Sequence, residues 1–497
     1  MLKKGLRNPS VIIIGAGMSG ILMTIKLREA GITDITILEK KSNIGGTWRE
    51  NSYPGVACDI PAHMYTYSFE PNPEWSHRFA YGSEIQEYFE RVGRKYGVTE
   101  KVRFNEAVVD SQYKNAKWYV KTSKGEHLVA DFIVCATGIL HHPAKPNITG
   151  LESFKGDMFH TAQWNHDVEL KGKRIGVIGT GSTAAQVIPE LIKKAGKVSV
   201  FQRTAQWIVN IPNRQYSEAH KARWRNNPHL MTVLKNRYAK AIEQTFSKAV
   251  TGHKLQHLMV SIFCKYNLRT SIKDKSLRKK LTPSYTPGCK RLIANNTFYS
   301  AIQKPNADLV TQGIERITEQ GIITKDGQLH ELDVLVLSTG FKPFNFMRPM
   351  NLVGKDGVHI NEIWHKKVKA YRSICIPQLP NFFLMLGPNT PIGNYSVIAM
   401  SEVQCDYVLK LIAQWRQGSF DEISATPKAM NEFNDYLKKG MGKTAWVGGC
   451  QSWYLDDDGD PAMWPYTWNQ WVKEMAEPCM SDFHTEFCQP QASSMAV

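Results

Sequence analysis

Between Val11 and Lys40 the chain reads VIIIGAGMSGILMTIKLREAGITDITILEK, and no other stretch limits its fold as tightly. A four-residue apolar run precedes Gly15, Gly17 and Gly20 in GxGxxG spacing, with Ser19 in the same turn. A helical pattern follows, and a second strand ends on Glu39, 19 residues beyond Gly20. The pattern predicts a βαβ unit. Its glycines permit a tight turn and close approach of a pyrophosphate, its helix N-terminus favours negative charge, and its carboxylate can accept hydrogen bonds from ribose hydroxyls. Strand, helix and acid stand in register, which makes the motif far more specific than three glycines alone.

A second copy begins at KRIGVIGTGSTAAQVIPELIKKAGKVSVFQRT, with Gly179, Gly181 and Ala184 in the GxGxxA variant and Ser182 and Thr183 in the turn. In place of the acid this copy ends VFQRT, so Arg203 and Thr204 stand where Glu39 stood. An arginine there pairs with a 2′-phosphate and not with a free 2′-hydroxyl. The first loop therefore suits FAD and the second NADPH. Two further segments match one another: DFIVCATG, ending in Thr137 and Gly138, and DVLVLSTGF, from Asp333 to Phe341. Each predicts a late strand of one nucleotide fold that brings the chain out beside its cofactor. The expected class is α/β, with two Rossmann-type dinucleotide-binding domains and a helical insertion in the NADPH domain.

The chain has nine cysteines and no CxxC, which predicts reduced thiols and a cytoplasmic protein and removes the dithiol relay of the disulfide reductases. No apolar run reaches the roughly 18 residues of a membrane span. The net charge is +17, and residues 221–291 hold 17 Lys and Arg against Glu243 and Asp274. This charge is gathered in one segment, the remainder is near neutral, and no nucleic-acid partner is expected. Its alternatives are a solvated face and a peripheral contact with anionic lipid. The run DDDGD at Asp456–Asp460 fails as a calcium loop because Pro461 and Thr467 occupy the glycine and bidentate-acid positions. No metal site is expected.

The stretch FKGDMFHTAQWN places Phe154, Gly156, His160 and Trp164 at spacings that fit neither a helix nor a strand with one apolar face. It resembles the FxGxxxHxxxW(P/D) motif of type I Baeyer-Villiger monooxygenases, with Asn165 in place of the final Pro or Asp. GGTWRENSYPGVACD, YTPGCKRLI, LGPNTPIGNYSV and SWYLDDDGDPAMWP are similar to that family's flavin, active-site and C-terminal segments, in its order. Similarity is greatest to the hydroxyacetophenone monooxygenase-like subgroup. Asn394 departs from the family's frequent His.

The resemblance implies an NADPH- and oxygen-dependent conversion of a ketone to an ester or lactone through a C4a-peroxyflavin anion. It makes Arg291 the catalytic arginine, Asp59 the carboxylate that positions it, Thr47 and Trp48 part of the flavin site, and Lys290 a partner of the NADPH 2′-phosphate. The His160 motif becomes a linker that moves with NADP+. The implied organisation is 1–145 and 346–497 for the FAD domain and C-terminal cover, 146–215 and 285–345 for the linker and NADPH domain, and 216–284 for the insertion. Heteroatom oxygenation of amines or sulfides is the alternative activity. A non-catalytic nucleotide-fold module that binds membrane or nucleic acid is the remote one.

Overall fold

The computed structural model describes residues 6–391, 395–450, 454–456, 458–460 and 462–488. Asn394, four residues of the SWYLDDDGDPAMWP segment and the last nine residues lie outside them.

The two glycine loops open two separate five-stranded parallel sheets. The first runs in space Phe382–Leu384, Phe132–Cys135, Val11–Ile14, Ile35–Glu39, Val102–Phe104. The second runs Ala307–Val310, Lys197–Phe201, Arg174–Ile178, Val334–Leu337, Asp157–His160. The runs VIII, FIVC and VLVL are buried at all four positions, as central parallel strands covered on both faces must be.

The matched exit segments explain one another. Asp131 precedes its strand and accepts hydrogen bonds from the Ser10 amide and hydroxyl, both at 2.8 Å. Asp333 does the same in the second fold, accepting from the Arg174 amide and guanidinium at 2.8 Å. Each acid thus ties a late strand to the entry of the first strand of its sheet, and the bonds to Arg174 hold the Asp333 carboxyl below its usual pKa. Past the strands the two exit segments meet. The Ala144 amide donates to Gly340 at 2.9 Å, the Lys342 amide to His142 at 2.8 Å, and the Thr339 hydroxyl to Ala144 at 2.6 Å. The two nucleotide folds are joined through this crossing.

Between the paired strands Ile208–Val209 and Ile293–Ala294 lie the helices Glu218–Asn226, His229–Ile242, Lys254–Ser271 and Lys275–Lys280, with shorter helical turns at 243–250.

Two expectations change. Asp157–His160 of the motif is a strand, paired with Val334–Leu337, and Thr161–Gln163 is a 3-10 turn. An edge strand paired on one side shows no full alternation, so its sequence hides it. The thiols are not all reduced: Cys289 and Cys450 form a disulfide across 161 residues. No short-spaced motif could signal a bond between such distant positions. Cysteine usage therefore no longer argues for a reducing compartment. Five of the seven free cysteines are buried, while Cys479 and Cys488 are exposed.

Candidate active site

The first nucleotide cradle is built from backbone in close contact. A Cβ on Gly20 would stand 2.0 Å from the Gly15 carbonyl oxygen, and one on Gly15 would stand 2.7 Å from that of Ala136. The turn Gly45–Gly46 closes over this loop: the Gly45 amide donates to Ala16 at 3.0 Å, and a Cβ on Gly46 would lie 3.0 Å from Gly17 Cα. Thr47 and Trp48 begin the short helix behind that turn, and Trp48 Nε1 donates to the Tyr65 hydroxyl at 3.0 Å. Gly138 follows the exit strand with φ +75°, and the Thr137 hydroxyl lies 3.6 Å from Cys135 Sγ.

The helices Met18–Glu29 and Ser182–Ile192 start on Gly17 and Gly181, with no side-chain cap and no acid in the first turn. Their leading N–H groups are left to an outside acceptor, which fits a pyrophosphate at each. A Cβ on Gly181 would meet nothing within 4 Å, so the second cradle has open space where the first is covered by Gly46. Two of the expected cofactor residues also bond within the protein itself. Ser19 turns its hydroxyl into the core, 2.9 Å from that of Ser401, and can offer the ligand only backbone. Glu39 is buried and already accepts from the Ala16 amide at 2.9 Å and the Lys41 amide at 3.0 Å. Each of its oxygens retains a second lone pair for a ribose hydroxyl.

In the second fold the Thr180 hydroxyl donates to the Thr204 carbonyl at 2.7 Å and draws the VFQRT segment beside the glycine turn. Thr183 lies beside the Tyr53 hydroxyl at the seam. Arg203 is exposed. Burial and the Arg203 charge both lower the Lys290 pKa, and the Lys290 ammonium stands 5.0 Å over the Tyr285 ring. Neither cation is paired with an acid among the described residues. Two neighbouring cations without a counter-ion suit a phosphate.

Asp59 and Arg291 come together although 232 residues separate them. Arg291 Nε donates to Asp59 Oδ2 at 2.9 Å and Nη2 donates to Oδ1 at 2.5 Å, a bidentate pair. Burial opposes the guanidinium charge, but Asp59, the Tyr454 hydroxyl and the hydrogen bond together hold the Arg291 pKa above its ordinary value. The Arg291 side chain nonetheless keeps 32% of its surface accessible, enough to meet a ligand. The Asp59 loop is fastened to the second fold. Gln186, on the helix Ser182–Ile192, donates to the Ala57 carbonyl at 2.9 Å and accepts from the Tyr53 hydroxyl at 2.8 Å. Gly55 passes this helix at φ +82°, where a Cβ would be 2.7 Å from the Gln186 carbonyl oxygen. The ion pair therefore sits at the seam between the two nucleotide folds.

Tyr454 belongs to the SWYLDDDGDPAMWP segment, where nothing in the pattern singles it out. It is buried beside the Arg291 charge, and burial pushes its hydroxyl up to about 12. The disulfide from Cys289 to Cys450 fastens the same two segments together. The acids that follow are met by lysines: Lys367 lies 3.5 Å from Asp456 and 3.2 Å from Asp458, and Lys438 lies 2.8 Å from Asp460.

The motif residues border this seam without joining the pair. Phe154, His160 and Trp164 are buried, Phe159 and Trp164 pack edge to face at 4.9 Å, and His160 lies 5.9 Å from Phe341 in the crossing. Burial lowers the His160 pKa. Gly156 is required where it stands, since a Cβ would be 2.4 Å from the Asp333 carbonyl oxygen. Asn165 accepts from the Asp167 amide at 3.0 Å, an Asx turn that aspartate would form equally well, so the departure from the motif leaves its geometry intact.

Residues 8–458 match the family model described as flavin-binding monooxygenase-like. An uncharacterized monooxygenase of Mycobacterium tuberculosis is 44% identical over 460 residues, 93% of this chain and 92% of that one. A Baeyer-Villiger monooxygenase of Streptomyces coelicolor is 37% identical over 478 residues, 95% and 92% of the two chains. Among solved structures, cyclohexanone monooxygenase from Rhodococcus sp. Phi1 bound to NADP+ superposes with a TM-score of 0.86 at 26% identity, covering 97% of this chain and 100% of that one. With cradles for two dinucleotides, an arginine held at their seam and these relatives along nearly its whole length, the chain belongs to the flavin-binding monooxygenase-like family.

Proposed function

We propose that the protein is an FAD- and NADPH-dependent Baeyer-Villiger monooxygenase, which inserts one oxygen of O2 beside a ketone carbonyl to give an ester or lactone. The observation that carries this reading is the bidentate Asp59–Arg291 pair at the seam of the two nucleotide folds. Bound flavin, once reduced by NADPH, supplies the activation of oxygen. The rest of the chemistry asks the protein for fixed positive charge. Arginine cannot lose its proton at a working pH, and attack on a ketone makes the carbonyl oxygen negative. Asp59 occupies Nε and Nη2, which sets the guanidinium plane and leaves Nη1 on the side away from the carboxylate. Tyr454 backs the pair. The linker containing His160 and Trp164 lies beside the domain crossing, a position from which it would adjust one nucleotide fold against the other.

Arg203 and Lys290 choose the nicotinamide cofactor in this reading. Arg203→Ala raises the KM for NADPH roughly tenfold to a hundredfold, the worth of one charge-assisted hydrogen bond, and leaves NADH kinetics unchanged. Steady-state kinetics with both cofactors checks this. The cationic form of Lys290 binds the phosphate, and its pKa is lowered. The kcat/KM for NADPH therefore falls as pH rises through a value below that of an ordinary lysine, and Lys290→Met removes that limb of the profile.

The reaction itself is tested by stoichiometry. With a turned-over ketone, NADPH, O2 and ketone disappear in equal amounts. NADPH oxidation that yields hydrogen peroxide while every ketone returns intact would overturn the assignment.

A further inference from the structure

The helix Lys254–Ser271 carries Leu255, Leu258, Met259, Ile262, Phe263 and Tyr266, each 48–65% exposed. Their spacing repeats at three and four residues, so they form one continuous stripe along the helix. The opposite face is already used. Cys264, Asn267 and Leu268 are buried against the NADPH fold, where the Asn267 amide donates to the Ile208 carbonyl at 2.9 Å and accepts from the Asn210 amide at 3.2 Å. The helix is anchored by one face and presents a second apolar face to the outside. A solvated surface helix has no reason to do so, and an apolar patch of this extent marks a contact.

The charge around the stripe identifies what it contacts. Lys265 and Arg269 stand exposed on the same helix, and with Lys275, Arg278 and Lys279 of the next helix they line a groove alongside it. The two acids of residues 221–291 are spent elsewhere: Asp274 caps the helix Lys275–Lys280 by accepting from the Leu277 amide at 2.6 Å, and Glu243 is partly buried, its pKa raised by burial. A second copy docked by two-fold symmetry would set this cationic rim against itself. A surface that is apolar at its centre and anionic around it satisfies both features at once.

We propose that this helix docks the protein on anionic lipid bilayers, with the apolar stripe at the acyl boundary and the cationic groove among headgroup phosphates. The contact is peripheral, since among the described residues no helix is long and apolar enough to cross a membrane. It stands apart from the reaction, so either assignment can fail alone.

The test is co-sedimentation of the full-length, flavin-loaded protein with vesicles of equimolar phosphatidylcholine and phosphatidylserine, and with phosphatidylcholine alone. At low salt the protein pellets with the anionic vesicles and binds the neutral ones at least tenfold more weakly. The double substitution Met259→Glu with Ile262→Glu, and separately Lys265→Gln with Arg269→Gln, weakens binding at least tenfold while turnover of a water-soluble ketone is unchanged. Failure to pellet with anionic vesicles, or binding that the glutamates leave intact, overturns the proposal. So does a dimer in sedimentation velocity that the glutamate variant converts to monomer, because the stripe would then belong to a second copy.

Discussion

Arg291→Ala makes ester about a thousandfold more slowly than the parent protein, the upper range for loss of one fixed oxyanion donor. It still purifies with flavin and is still reduced by NADPH. These properties separate because the two cradles are built from Gly15–Gly20 and Gly179–Thr183 and make no use of the arginine. The variant also removes the partner of Asp59, whose side chain is only 13% exposed, so some loss of thermal stability accompanies it. Arg291→Lys keeps a charge but cannot offer Nε and Nη2 to one carboxylate, and it recovers only a small part of the rate. Stopped-flow reduction followed by product quantification checks the pair of results. A normal ester yield from Arg291→Ala would remove the arginine from the reaction.

Gly20→Ala purifies without bound flavin, or fails to fold. The new Cβ would be 2.0 Å from the Gly15 carbonyl oxygen, and that neighbour is backbone in the turn itself. The helix Met18–Glu29 must then move off the strand Val11–Ile14, and overpacking of this kind costs about 1–3 kcal/mol before any loss of ligand is counted. The second loop supplies the contrast, since it holds Ala184 at the matching position, fully buried and accommodated. Gly181→Ala should fold normally because its Cβ meets nothing within 4 Å, yet it fills the space left for the pyrophosphate and raises the KM for NADPH. Absorbance of the bound flavin across the purified variants distinguishes these outcomes.

Both nucleotide folds were legible because each fingerprint is a contiguous strand, turn and helix whose glycines answer to contacts within the same unit. Arg203 was legible for the same reason, as the residue at the acid's place in a second copy. The Asp59–Arg291 pair came instead from its resemblance to a family, since spacing alone cannot join positions 232 residues apart. Where no motif marked the distant contact, nothing pointed to it. The disulfide from Cys289 to Cys450 and the approach of Tyr454 to Arg291 both depend on how the C-terminal segment folds back. The acids Asp131 and Asp333 were seen as a repeated feature, but their shared role required seeing the first strands beside them. The segment KLQHLMVSIFCKYNL shows a different limit. Its periodicity predicts a helix, yet apolar residues lie on two faces, and only packing decides that Cys264 and Leu268 turn inward while Ile262 and Tyr266 do not.

The most direct test of the central claim is mass-spectrometric analysis of products formed from aryl methyl, cyclic and long-chain ketones with NADPH and isotopically labelled O2, with a thioether in parallel. The account predicts ketone products heavier by one labelled oxygen and cleaved by base into acid and alcohol. Labelled sulfoxide alone, with every ketone returned unchanged, would contradict it and make the protein a heteroatom oxygenase.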